Sequence, residues 1–260
     1  MTLKYGKDYT PKCYLSDLGK YGRPVIVCED LEAIGYKKVQ DKLDDEHLKI
    51  CVQLLGSFHG RGLKLKKENF SAFREFYAKF LEISLTDVSD EECEKKLIRI
   101  TNILKTLSDP KLADKVKEKI GDNPLKTART LASDINDDST ICHGHFSSDN
   151  LLFEYENQKP IGVKVIDWQT MRYCSPAIDL GFILFSNFSD ENQPTRFKEI
   201  IQLYVDSVKS ESSEISADQL TKDILSKFLL PWILLSFEDE VTDKKLAQVL
   251  ELLGSLSALN

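Results

Sequence analysis

The pattern of apolar and polar positions changes character twice along the 260-residue chain. Before residue 40 the apolar residues come in short runs. Lys12-Cys13-Tyr14-Leu15 reads as a short strand and Asp17 to Gly22 is rich in turn formers. Pro24-Val25-Ile26-Val27-Cys28 is a continuous apolar run of the kind shown by a strand buried on both faces, and Glu29-Asp30-Leu31 ends it. From Asp44 to about Ser133 the period becomes helical. Asp45 and Glu46 suit the positive end of a helix dipole, and Leu48, Cys51, Leu55 and Phe58 keep one face apolar. Phe70, Phe73, Tyr77 and Phe80 stripe a second helix. Ser89 and Glu92 form a capping-box pair ahead of Leu97, Ile100, Leu104 and Leu107. Asp109-Pro110 caps a helix carrying Leu112, Val116 and Ile120, which Gly121 stops.

The second change comes at Ile141. Leu151-Leu152-Phe153 and Ile161 to Ile166 flank a polar turn, Glu154 to Pro160, and together read as a hairpin. Helices resume behind Ser175-Pro176, with three more near Pro194–Lys209, Ala217–Glu238 (kinked at Pro231) and Asp243–Leu256. There is no internal repeat. The expected architecture is a small β element followed by a mainly helical body with one central hairpin.

Charge narrows the function. Lys and Arg number 35 against 42 Asp and Glu, a formal net charge of −7, which argues against a general binder of nucleic acid or of anionic membranes. The longest apolar run, Phe228 to Leu235, is far shorter than the ~20 residues of a membrane span. The six cysteines are scattered without a C-x-x-C pair, and the start of the chain is polar. These features read as free, mostly packed thiols in a cytoplasmic protein.

Candidate chemistry lies in His143-Gly144-His145-Phe146-Ser147-Ser148-Asp149-Asn150, followed by the hairpin and then Ile166-Asp167-Trp168. A tight turn presents polar side chains, and a carboxylate follows at the end of a strand. Phosphoryl-transfer enzymes of the kinase type share this layout: a loop residue orients the acceptor hydroxyl, an Asn five positions on binds metal, and an Asp beyond a hairpin holds Mg²⁺ against the nucleotide phosphates. Asn150 and Asp167 fit the last two roles by spacing. His143-x-His145 beside Cys142 would also suit two zinc ligands, but a well-spaced fourth donor is lacking. Asp149 reads as solvated, and Trp168 and Trp232 as packing.

The order of motifs resembles the ecdysteroid-kinase-like branch of the choline-kinase-like and aminoglycoside-phosphotransferase-like group. The matching residues are His143-Gly144, Asn150, Ile166-Asp167-Trp168-Gln169 and Ser175-Pro176-Ala177-Ile178-Asp179-Leu180. Upstream, Val27-Cys28-Glu29-Asp30-Leu31 followed by Gly35-Tyr36 resembles the family's hinge between lobes, and Leu54 to His59 its helix ending in Phe-His. The resemblance implies a protein-kinase-like α+β fold in which residues 1–40 are the remnant of a truncated N-terminal β lobe and hinge. Residues 41–260 are then a complete helical C-terminal lobe, with its catalytic-loop region at 141–180.

It further implies ATP and Mg²⁺ as cofactors, Glu29, Asp30 and Leu31 at the nucleotide, Asn150 and Asp167 at the metal, and His143 and Asp179 as braces of the loop. The implied partner is a small hydroxylated molecule, with steroid alcohols as the family's class. Two departures stand out. His145 occupies the position of the catalytic Asp, and an imidazole carries no fixed negative charge. Gly6, Gly19 and Gly22 make no G-x-G-x-x-G, and neither Lys4 nor Lys7 lies on a convincing strand. The reading is therefore an impaired small-molecule kinase. Its alternatives are a silent pseudokinase that binds a small molecule or protein, or a truncated gene product. The open apolar strand is expected to promote self-association or recruit a protein partner.

Overall fold

One long helix positions the rest. In the computed structural model, α1 (Asp45–Glu68) starts where the Asp44 side chain accepts the backbone N–H groups of Glu46 and His47. The structure describes residues 9–17, 19, 22–40, 42–80, 89–187, 194–256 and 258–259, so Lys4, Gly6 and Lys7 lie outside the described residues. Leu48, Cys51, Leu55 and Phe58 are buried as their spacing predicts. The helix does not end at Phe58-His59 but continues to Glu68, because Leu63 is also buried and Lys66 donates to the carbonyls of Asn136, Asp137 and Ser139. Its partner is α7 (Pro194–Glu211). A Cβ on Gly56 would lie 2.6 Å from the Tyr204 carbonyl oxygen, and one on Gly60 2.6 Å from that of Val208. Glycine at these two positions lets the helix backbones approach that closely.

The next helices follow their sequence signals. Asn69 caps α2 (Phe70–Tyr77), Ser89 caps α3 (Asp90–Leu104), Asp109 caps α4 (Pro110–Ile120) and Asn123 caps α5 (Pro124–Ser133). The aromatic stripe is buried only in part: Phe73 is enclosed, whereas Phe70 is exposed.

Three antiparallel two-stranded ribbons make up the sheet structure of the described residues. β1 (Cys13–Asp17) pairs with β2 (Val25–Cys28), β3 (Thr140–Cys142) with β6 (Arg172–Cys174), and β4 (Leu151–Glu156) with β5 (Lys159–Val165). The β4–β5 ladder runs on to Glu156 and Lys159, so the turn is only Asn157-Gln158, both at positive φ. Such a pair matches the twist of the strands it joins. The β1–β2 ribbon corrects the reading of Pro24–Cys28 as a buried strand: Val25, Ile26 and Val27 are 48%, 69% and 44% exposed. Among the described residues no second layer covers either of its faces. The thiols are also less packed than expected, since Cys13 and Cys28 are exposed and Cys93 is half-buried.

In the C-terminal part, α6 (Ala177–Asn187) is buried almost throughout. The single kinked helix expected over Ala217–Glu238 is two helices, α8 (Ala217–Lys227) and α9 (Leu229–Leu235), parted at Phe228. Pro231 offers no N–H and crowds the carbonyl four residues back, which is that of Lys227. α10 (Asp243–Ser255) closes the body, capped by Thr242. Among the described residues no helix is long and apolar enough to cross a membrane. Backbone hydrogen bonds tie the N-terminal segment to the central hairpin, and the Tyr36 hydroxyl adds a bond to Glu154 Oε2 at 3.1 Å. Lys37 and Phe153 exchange backbone hydrogen bonds at 2.9 and 2.8 Å, and the Val165 N–H donates to the Tyr9 carbonyl at 2.7 Å.

Candidate active site

Asp179, in the first turn of α6, is fully buried and both its oxygens are engaged. Oδ2 accepts the His143 N–H at 2.6 Å and Oδ1 that of Gly144 at 2.7 Å. His59 Nε2 lies 3.1 Å from Oδ2, and His59 Nδ1 lies 2.7 Å from the Tyr204 hydroxyl. Burial alone would push the Asp179 carboxyl up. The hydrogen bond and charge of His59, with His143 and the Gly144 N–H, outweigh it and hold the carboxyl below its usual range. A buried carboxylate thus fixes the backbone turn at residues 143–144.

Gly144 has φ +90, and a Cβ there would lie 2.1 Å from the Thr170 carbonyl oxygen. A side chain cannot be fitted at this position. The turn is further pinned by the Thr170 hydroxyl, which donates to the His143 carbonyl at 2.9 Å. β3 and β6 bring Cys142 and Arg172 opposite each other and so gather the two ends of the intervening segment.

Both ring nitrogens of His143 face backbone. Nε2 donates to the Ile166 carbonyl at 3.0 Å, and Nδ1 accepts the His145 N–H at 3.3 Å. Burial is the first cause holding its pKa below the ordinary histidine value, which agrees with a neutral ring. The ring packs edge-on against Trp168 at 4.8 Å. No nitrogen of His143 is left to share a metal with His145. The ligand atoms of His59, Cys142 and Asp179 lie within 4.8 Å of one another. Asp179 is saturated by its N–H donors, however, and burial pushes the Cys142 thiol well up. This cluster is a packed polar knot.

The His145 side chain is half-buried. Its ring lies against Phe182 at 4.9 Å, and its Nε2 is 3.1 Å from Glu238 Oε1. The Glu238 hydrogen bond is the main cause raising its pKa; partial burial opposes it, and the charges of Glu238, Asp167 and Asp179 add to it. Glu238 stands in the loop after α9, with no motif around it to mark it. Arg99 of α3 grips that loop, donating through Nη1 to the Ser236 and Glu238 carbonyls at 2.9 and 2.8 Å, through Nη2 to Val241, and through Nε to Asp243.

Asn150 is buried, and its amide donates to the His145 carbonyl at 3.0 Å. The Ile166 N–H donates to the Asn150 carbonyl, also at 3.0 Å. That bond extends the β4–β5 ladder and sets Asn150 and Asp167 at the same end of the hairpin. Asp167 is exposed and left-handed, with φ 60 and ψ 62, a conformation uncommon for a residue with a side chain. An amide oxygen and a carboxylate are hard oxygen donors, a set whose chemistry fits Mg²⁺.

The structure therefore gathers His143, His145, Asn150, Asp167 and Asp179. It leaves Glu29, Asp30 and Leu31 apart, linked through Lys37 to the hairpin. Glu29 bonds to Lys12, Asp30 Oδ1 accepts the N–H groups of Glu32 and Ala33 at 3.1 Å, and Leu31 is buried.

Among solved structures, the chain is similar to the GDP and kanamycin complex of APH(2")-IIia, with 16% identity, a TM-score of 0.46, and coverage of 99% of this chain and 79% of that one. A putative aminoglycoside phosphotransferase from Ralstonia eutropha shows 14% identity, a TM-score of 0.43 and coverage of 96% and 78%. A microcompartment-associated aminopropanol kinase shows 13%, 0.42, and 95% and 73%. Likenesses this distant assign neither substrate nor nucleotide. No curated protein matches in sequence. Residues 3–216 match the model of the ecdysteroid kinase-like family. That span holds the loop, the hairpin and the buried aspartate, within the mixed, mostly helical kinase-like architecture that the motifs led us to expect, and the chain belongs to the ecdysteroid kinase-like family.

Proposed function

We propose that the chain is an ATP- and Mg²⁺-dependent phosphotransferase acting on the hydroxyl of a small molecule, with turnover lowered by histidine at the base position. The observation that supports it most is the convergence of His145, Asn150 and Asp167 on a turn fixed by Asp179. Asn150 and Asp167 would hold the metal, which when bound neutralises phosphate charge. Glu29, Asp30 and Leu31 would border the nucleotide through the segment that Lys37 joins to the hairpin. His145 would accept the proton of the acceptor hydroxyl, with Glu238 holding its ring in place. A steroid-like alcohol is the acceptor class this reading carries, and the cytoplasm its compartment.

A second reading, a silent module that binds a small molecule or protein, is favoured by His145 itself, which supplies no fixed negative charge at the reacting hydroxyl. Calorimetry and a phosphotransfer assay over a panel of alcohols separate the two. The first reading expects nucleotide binding that requires Mg²⁺ and is lost in Asp167→Ala. It also expects slow turnover that His145→Asp raises within the ~10²–10⁴ range of a positioned base. Nucleotide binding with no turnover in either chain would establish the second reading, and absence of any nucleotide binding would rule out the first.

A further inference from the structure

Cys13 and Cys28 are register partners across the β1–β2 ribbon, and both are exposed. Just outside them, the Glu29 N–H donates to the Lys12 carbonyl at 2.8 Å. The pair thus occupies a non-hydrogen-bonded position at the end of the ladder, next to the β-bulge between Cys13 and Leu15; in a regular ladder facing Cα atoms at such a position come to about 4.5 Å. That lies within the span of about 4.4–6.8 Å that a disulfide bridges. The Cys13 Sγ donates to the Leu15 carbonyl at 3.4 Å, so closure needs it to turn from that oxygen to Cys28. Partial burial, then the charge and hydrogen bond of Cys13, push the Cys28 thiol up. The other thiols are placed differently: Cys51, Cys142 and Cys174 are buried, and Cys93 is half-buried beside Asn123 at 3.8 Å.

We propose that Cys13 and Cys28 form a reversible thiol–disulfide site that closes by exchange with a small-molecule disulfide of the glutathione type. One thiolate of the pair attacks a sulfur of glutathione disulfide, forming a mixed disulfide and expelling one glutathione thiolate, which takes up a proton. The facing thiol then loses its proton and displaces the second glutathione, joining Cys13 to Cys28. Two protein thiols are oxidised and one glutathione disulfide is reduced to two glutathione thiols. Because the thiolate is the attacking species, closure accelerates as pH rises. The bond would join the start of β1 to the end of β2, which leads directly into Glu29, Asp30 and Leu31. The site does not depend on phosphotransfer.

The test uses the full chain, folded, incubated with glutathione disulfide, quenched with N-ethylmaleimide, and read by intact mass and peptide mapping. The expected result is the loss of two hydrogens, a peptide joining Cys13 to Cys28, and reversal by dithiothreitol. Cys142 and Cys174 should remain reduced. In Cys28→Ser, Cys13 should instead keep a stable glutathione adduct. Stable adducts on both Cys13 and Cys28 of the unmodified chain would overturn the proposal. So would disulfide-linked dimers through either cysteine, a bond between Cys142 and Cys174 in their place, or no reaction at all.

Discussion

The β1–β2 ribbon and the 143–150 turn, which ends in one turn of 3-10 helix at Ser148–Asn150, are both short, yet they are held in opposite ways. β2 is Val-Ile-Val-Cys, a sequence of strong strand formers, and every one of its residues is exposed. Among the described residues, its hydrogen bonds stay within the ribbon and at the adjoining Lys12 and Glu29. The turn reads His-Gly-His-Phe-Ser-Ser-Asp-Asn, in which Phe146 alone is a strong former of regular structure. Its backbone is nevertheless fixed by the Asp179 carboxylate, the Thr170 hydroxyl and the Ile166 N–H, all distant in sequence. Local propensity suffices to make the ribbon, whereas the turn takes its shape from long-range partners.

The sharpest way to break the contrast is Asp179→Ala. It strands two backbone N–H groups and His59 in the interior, and removing one member of such a buried set costs about 3–5 kcal/mol. Urea unfolding should show that loss, and a change below 1 kcal/mol would contradict the account of the turn.

Acid should act on the same carboxylate. The folded Asp179 carboxyl lies below its usual value, and the unfolded one titrates near ~3.9. Its contribution is therefore present above the unfolded value and is lost as the pH falls through the folded one. Stability measured by urea midpoints should decline on acidification below about pH 5, and the decline should be shallower in Asp179→Asn.

Tyr204→Phe tests the far end of the network. It deprives His59 Nδ1 of its partner, at a cost of about 1–3 kcal/mol for a buried group left unpaired. On the ribbon, Ile26→Thr should change unfolding stability by less than about 0.5 kcal/mol, as an exposed substitution does. If the open apolar face drives association, Ile26→Thr should also lower the sedimentation-measured oligomer fraction. A destabilisation above 1 kcal/mol would mean the ribbon is anchored more firmly than its exposure shows.

The same contrast explains what could be read from the sequence. Caps at Ser89 and Asp109, the central hairpin, and the spacing of His143, Asn150, Asp167 and Asp179 are local or motif-borne, and they are visible in the sequence. Glu238 is not, because it meets His145 across 93 positions with no pattern around it. The His59 contacts to Asp179 and Tyr204 span 120 and 145 positions. The Phe58-His59 pair could be noticed as a motif, but its partners are set only when α1 meets α6 and α7. The β3 and β6 strands have three residues each, too few to show a period. The Val25–Val27 run looks the same whether a sheet covers it or water does.

The seam at Gly56 and Gly60 has a mechanical consequence. The two glycines are four positions apart, about one turn, or 5.4 Å along the axis. α1 therefore meshes with α7 like a rack with a single tooth pitch. A slide smaller than a turn drives Cβ atoms into the contact points, and a slide of a full turn carries His59 out of reach of Asp179. Graded shear along this seam is closed to the protein. Any movement that opens the site must pivot elsewhere and carry α1 and α7 together as one piece.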